Sequence, residues 1–114
     1  MNSRDVKKLL FDVENACIRV LKFLEGHSFE DFSGDELLQS AVERQSEIIG
    51  EALNQAIAID RSLSARITNV RRIIDFRNRL IHGYASVSPQ VVWGIISNDV
   101  AILLEEVRAL MKEP

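Results

Sequence analysis

The sequence predicts an all-α protein, an antiparallel four-helix up-and-down bundle in a single domain over residues 1–114, with room for one short extra helical turn. Three observations predict it. Apolar residues recur at three- and four-residue spacing over long stretches, and none of these stretches shows the alternation of a half-buried strand. Glycine and proline are scarce, 5 and 2 among 114 residues, which favours a few long elements. The breaks between periodic stretches are short, as neighbours in an up-and-down bundle require. Apolar residues make up 46% and charged residues 27%, enough for one core and not for two.

The first helix is read over residues 3–25, where Val6, Leu9, Leu10, Val13, Cys17, Val20, Leu21 and Leu24 form one apolar face. Gly26 stands where a helix C-terminus favours glycine. Residues 27–32 read as a polar-aromatic connection. Ser33 and Glu36 have the spacing of a capping box, in which each side chain satisfies a free N–H of the first turn. The second helix then carries Leu38, Ala41, Val42, Ile48, Ile49, Ala52, Leu53, Ala56 and Ile57 on its apolar face. Gly50 in its middle costs roughly 1 kcal/mol relative to alanine, so it is expected to serve a close approach of another helix.

Residues 61–68 read as a connection that can hold a short helical turn. Thr68 or Asn69 is the expected cap of a third helix, which buries Val70, Ile73, Ile74, Leu80 and Ile81 and ends near His82 at Gly83. Ser88–Pro89 is a cap followed by proline at the first helical position. The fourth helix follows, with Val92, Ile96, Val100, Leu103, Val107 and Leu110 in register.

Charge is distributed unevenly. Six arginines (61, 66, 71, 72, 77 and 79) stand against the single acid Asp75 between Arg61 and His82, a local charge of +5. The whole chain carries −3, so the remainder carries −8. An acidic protein with one arginine-rich segment suits local phosphate binding rather than broad coating of nucleic acid. No apolar run approaches the roughly 20 residues of a membrane span, so no membrane partner is expected. The opening residues lack the pattern of a signal peptide. Cys17 is the only cysteine and cannot form an internal disulfide. A reducing cytoplasm is therefore the expected location, with Cys17 in a packing role.

Of the two histidines, His27 falls in a connection and reads as a surface residue. His82 has chemically suggestive company. Asn78 lies one helical turn before it, and Arg77 lies roughly 140° away around the axis. A histidine can move protons near neutral pH, and an arginine can hold phosphate oxygens in a forked geometry. A histidine near a helix end also simply complements the last carbonyls, so spacing alone leaves both readings open. Trp93 reads as packing or a dimer contact rather than a base-stacking platform. Glu43, Glu47 and Glu51 share a stripe without any histidine and read as a solvated or interface face rather than a metal site. No phosphate-binding glycine loop, cysteine cluster or nucleophile elbow is present.

Arg77-x4-His82-Gly83-Tyr84 resembles the Arg-x4-His-x-Tyr signature of the HEPN superfamily and specifically of its HepT-like toxins. The similarity extends to Glu47-Ile48-Ile49-Gly50-Glu51-Ala52 on the second helix and to Val91-Val92-Trp93 opening the last. Many relatives carry Pro-Trp before the third helix, where this chain has Ile67-Thr68-Asn69-Val70. The resemblance implies a helical homodimer with two Arg-His motifs facing each other across the subunit interface. It implies an endoribonuclease acting on cellular RNA (tRNA or mRNA) without metal or other cofactor, the toxin of a type VII-like toxin–antitoxin pair. Arg77 and His82 would be the catalytic pair, with Asn78 assisting. Tyr84 would be the residue to which a minimal nucleotidyltransferase antitoxin transfers AMP. Arg71, Arg72 and Arg79 are further candidates for RNA contact. The alternative is a HEPN module that binds nucleotide or RNA, or serves a nucleotidyltransferase as a partner subunit, without cutting.

Overall fold

The computed structural model describes residues 3–83 and 87–114. Four long helices carry the fold, namely α1 (Ser3–Leu24), α3 (Glu36–Ile59), α5 (Val70–His82) and α6 (Pro89–Met111). Two short ones, α2 (Phe29–Ser33) and α4 (Leu63–Arg66), lie in the connections. The described residues are otherwise turns and loops, and the expected all-helical bundle is what forms. Central α3 packs against α1 on one side and α5 on the other, while α6 closes over α1 and α2. Val13, Val20, Val42, Leu53, Val92, Leu103 and Val107 are fully enclosed between them.

The helix ends correct the sequence reading in places. The expected Ser33–Glu36 capping box does not form, because Ser33 is the last residue of α2. The box sits one element earlier: Ser28 Oγ accepts from Asp31 N–H, and the Asp31 carboxylate accepts from Ser28 N–H at 2.9 Å. The backbone N–H of Ser28 contributes most to holding the Asp31 carboxyl below its ordinary range, helped by the Ser28 hydroxyl. Asp35 caps α3 instead, accepting from Leu38 N–H at 3.0 Å. The local reason is that Phe32 must be buried beneath Trp93, so the chain coils early and restarts at Asp35.

Gly26 closes α1 with φ +77°, the left-handed region glycine enters at no steric cost. At the start of α5, Asn69 adopts φ +58° and supplies no side-chain cap; its amide reaches Asp99 on α6. Thr68 also turns to α6, bonding to Glu106 through its hydroxyl and its N–H. Tertiary contacts thus replace the expected local cap. At α6 the expectation holds, with Ser88 Oγ accepting from Val91 N–H and Pro89 opening the helix.

Gly50 has the predicted role. A Cβ there would collide with the Cβ of Arg77 and lie 2.7 Å from its Cγ. Only a glycine lets α5 lie this close to α3 at the level of Arg77.

Candidate active site

The middle of α5 is where the site is built. Arg77 points from α5 onto α3, its side chain 19% exposed, and its Nη2 is ion-paired with Glu51. The other terminal nitrogen, Nη1, donates to Asn78 Oδ1 at 2.8 Å. The guanidinium is thus gripped by an acid from α3 and by its own neighbour on α5. Nε is buried without a hydrogen-bond partner among the described residues. A partly desolvated cation with one unsatisfied donor is costly to maintain.

His82 is the last residue of α5 and is exposed. It has no hydrogen-bond partner among the described residues. The helix stays intact to its end, since Gly83 N–H donates to Arg79 carbonyl at 2.9 Å. Arg77 and His82 therefore remain roughly 140° apart around the axis. Asn78 lies between them, bonded to the first and one turn below the second. The structure thus joins Arg77, Asn78 and Glu51, and leaves the imidazole facing outward. Tyr84 lies outside the described residues.

A groove of about 800 Å³ runs between α1, α3 and α5, lined by Arg77, Glu51, Phe11 and Ile81 among others. His82 does not line it. Ile81, expected in the core, is 43% exposed at the groove edge. The apolar position that the core takes instead is Phe76. The reason is position along the helix: Ile81 lies about 20° from the buried Ile74 around the axis but two turns further on, one residue from the end of α5.

The arginine-rich segment is less positive in space than along the chain. Arg66 pairs with Glu113, Arg72 with Asp99, and Arg77 with Glu51. Asp99 is buried and receives Arg72 Nε at 3.0 Å and Nη2 at 2.5 Å, a bidentate grip. That contact raises the Arg72 pKa further above its ordinary value. Arg61, Arg71 and Arg79 have no ion pair among the described residues. Arg71 and Arg79 line a shallow hollow with Asp75 and Ile95 on the side of α5 away from Arg77.

Elsewhere, Trp93 packs against Phe29 and Phe32, with centroids 5.8 and 5.5 Å apart, so it serves the core. Cys17 is wholly enclosed, and burial pushes its thiol up to about 12, far from reactivity. The residue that sequence reasoning missed is Glu51, placed with Glu43 and Glu47 on a nondescript acidic stripe. The available signal was its position next to Gly50: an acid beside the point of closest helix approach can reach a side chain of the partner helix while staying partly exposed.

The comparisons agree with this architecture. A family model described as ribonuclease HepT-like matches residues 13–110. A protein of Thermococcus cleftensis named a probable ribonuclease HepT is 33% identical over 109 residues, covering 96% of this chain and 98% of that one. A Methanocaldococcus jannaschii protein with a provisional RNase designation is 31% identical over 109 residues, covering 94% and 97%. Another with the same designation, from Caldanaerobacter subterraneus, is 30% identical over 97 residues, covering 85% and 86%. No solved structure gives a significant match. With the family model spanning most of its length and full-length relatives above 30% identity, the chain belongs to the HepT-like ribonuclease family.

Proposed function

We propose that the protein is an endoribonuclease toxin that cleaves RNA by internal transesterification, with Arg77 and His82 as its catalytic pair and Asn78 assisting. The observation that carries this reading is the half-buried, doubly gripped Arg77 guanidinium five residues before the exposed His82 imidazole on the same helix. His82 takes the proton from a ribose 2′-hydroxyl, whose oxygen then forms a bond to the adjacent phosphorus. Arg77 stabilises the charge that builds on the non-bridging oxygens of the phosphorane. The bond to the 5′-oxygen breaks, that oxygen takes a proton from a protonated His82 imidazole, and a 2′,3′-cyclic phosphate remains. A guanidinium, an amide and an imidazole supply these steps without calling on an ion.

The divergence of Arg77 and His82 within one chain supports a working site made by two copies. Each copy would bring a cation on one side of the cleft and an imidazole on the other. Tyr84, two residues beyond His82, suits the regulatory role implied by the family: an AMP group there would place negative charge and bulk beside the cleft and repel RNA phosphate. A small nucleotidyltransferase is the partner this requires.

The test is cleavage of total RNA in the presence of EDTA. Wild-type protein is expected to cut and His82→Ala to be slower by about 100-fold or more. Undiminished cutting by His82→Ala would sink the mechanism. Tyr84 should gain the mass of one AMP after co-expression with a neighbouring nucleotidyltransferase; an unmodified tyrosine in a neutralised complex would point to occlusion. A second reading, RNA binding without cleavage, draws on the lack of an orienting partner for His82 among the described residues. Tight RNA binding by a wild-type protein that cuts nothing would select it.

A further inference from the structure

Glu51 is the acid that the ribonuclease reading leaves without a part. An anionic carboxylate beside a phosphate-binding arginine weakens RNA binding by like-charge repulsion, so its place there calls for a compensating role. Three contacts describe that role. Glu51 holds Nη2 of Arg77, and Asn78 Oδ1 holds Nη1. Gly50, the residue before Glu51, lets the Cβ and Cγ of Arg77 lie against α3. The stem of the arginine is therefore set by packing and its head by two acceptors.

We infer that Glu51 is a positioning residue for Arg77, fixing the guanidinium in the orientation that phosphorane stabilisation requires. The inference rests on the ribonuclease reading above. Glu51 and Asn78 each take one N–H, so one N–H remains on each terminal nitrogen. Those two donors are left to engage phosphate oxygens. Glu51 thus orients Arg77 without saturating it. By accepting from Nη1 through Oδ1, Asn78 is also turned so that its Nδ2 group is the end left for substrate. Glu51 thereby acts through Arg77, and has no hydrogen bond to Asn78 or His82 among the described residues.

Positioning and simple charge predict opposite outcomes. If Glu51 acted only as a nearby negative charge, removing it would tighten RNA binding and leave the chemical step alone. If it positions Arg77, removing it slows the chemical step and leaves binding equal or tighter. The experiment measures single-turnover cleavage of bulk tRNA by wild type, Glu51→Ala and Glu51→Gln, and tRNA affinity with each change placed on a His82→Ala background. Glu51→Ala should slow the chemical step by roughly 10- to 100-fold, the range for a misplaced catalytic group. Its affinity for tRNA should not fall. Glu51→Gln keeps an oxygen acceptor and should recover most of the rate. Wild-type rates in Glu51→Ala, or a loss arising wholly from weaker binding, would overturn the inference.

A second measurement is independent of cleavage. The ¹⁵Nε–¹Hε resonance of Arg77, assigned by its loss in Arg77→Lys, should be sharp in wild type and Glu51→Gln and averaged with solvent in Glu51→Ala. An unchanged resonance in folded Glu51→Ala would refute positioning even if the protein cut no RNA. Cutting by His82→Ala with a resonance that depends on Glu51 would instead fault the ribonuclease mechanism alone.

Discussion

Individual side chains in this protein are governed by what α3 presents to them. Glu43, Glu47 and Glu51 follow one another at one-turn intervals, yet they meet different fates. Glu51 finds Arg77 across the helix interface, and Glu47 lies 3.6 Å from the exposed Arg44. Glu43 has neither, and partial burial, reinforced by the charge of Glu47, raises its carboxyl above the ordinary 4.5. A carboxyl that binds its proton more tightly when folded opposes folding while ionised. The penalty is present above its folded-state pKa and is gone below the unfolded value of 4.5. Glu43→Gln should therefore stabilise the protein at pH 7 by about 0.3 kcal/mol, the size of a screened like-charge pair one turn apart. Thermal melts of the two proteins should differ at pH 7 and converge near pH 4; equal melting at pH 7 would refute the account. The stripe itself was legible in the sequence. Which of its members meets a cation was not, because that depends on the rotation of α3 against α5.

Among the elements, the α3–α5 contact is the one on which the site depends. A helical glycine is ordinarily a cost, and replacing it with alanine should add about 0.5 to 1 kcal/mol of stability. At Gly94 on α6 a new Cβ would meet nothing within 4 Å, so Gly94→Ala should gain about that amount. At Gly50 the same change drives a Cβ into the stem of Arg77. Overpacking of this kind costs about 1–3 kcal/mol and outweighs the propensity gain. Gly50→Ala should thus lower the melting temperature where Gly94→Ala raises it, and it should slow RNA cleavage by displacing Arg77. Two stabilised proteins would mean that the α3–α5 contact has room for a methyl group at Gly50. The mid-helix glycine announced this contact from sequence alone. The ends of the elements were harder to read, because Thr68 and Asn69 exchange local capping for bonds to Glu106 and Asp99, residues thirty or more positions away.

At the scale of the whole molecule, the bundle is a flattened body of 44 × 30 × 19 Å whose groove holds two exposed apolar side chains among mainly polar ones. Phe11 and Ile81 line the groove together with Arg77 and Glu51, at 46% and 43% exposure. A second copy seated there would bury both and bring two Arg–His sets together. Light scattering at micromolar concentration should report twice the 12.9 kDa chain mass. Phe11→Lys should shift the protein toward monomer and reduce cleavage in parallel; a wild-type monomer that cleaves RNA would end the two-chain proposal. The helical class, the four long helices, the close approach at Gly50 and the Arg77–Asn78–His82 spacing were all determined by the sequence, because periodicity and local backbone chemistry decide them. The tertiary structure alone decided that Arg66, Arg72 and Arg77 are neutralised, that Ile81 faces outward, and that Glu51 holds the arginine at the site. The Arg72 and Arg77 pairs depend on how packed helices are rotated, the Arg66 pair on where the segment after α6 lies, and Ile81 on where α5 ends; a one-dimensional pattern carries the face a residue occupies but not what it meets.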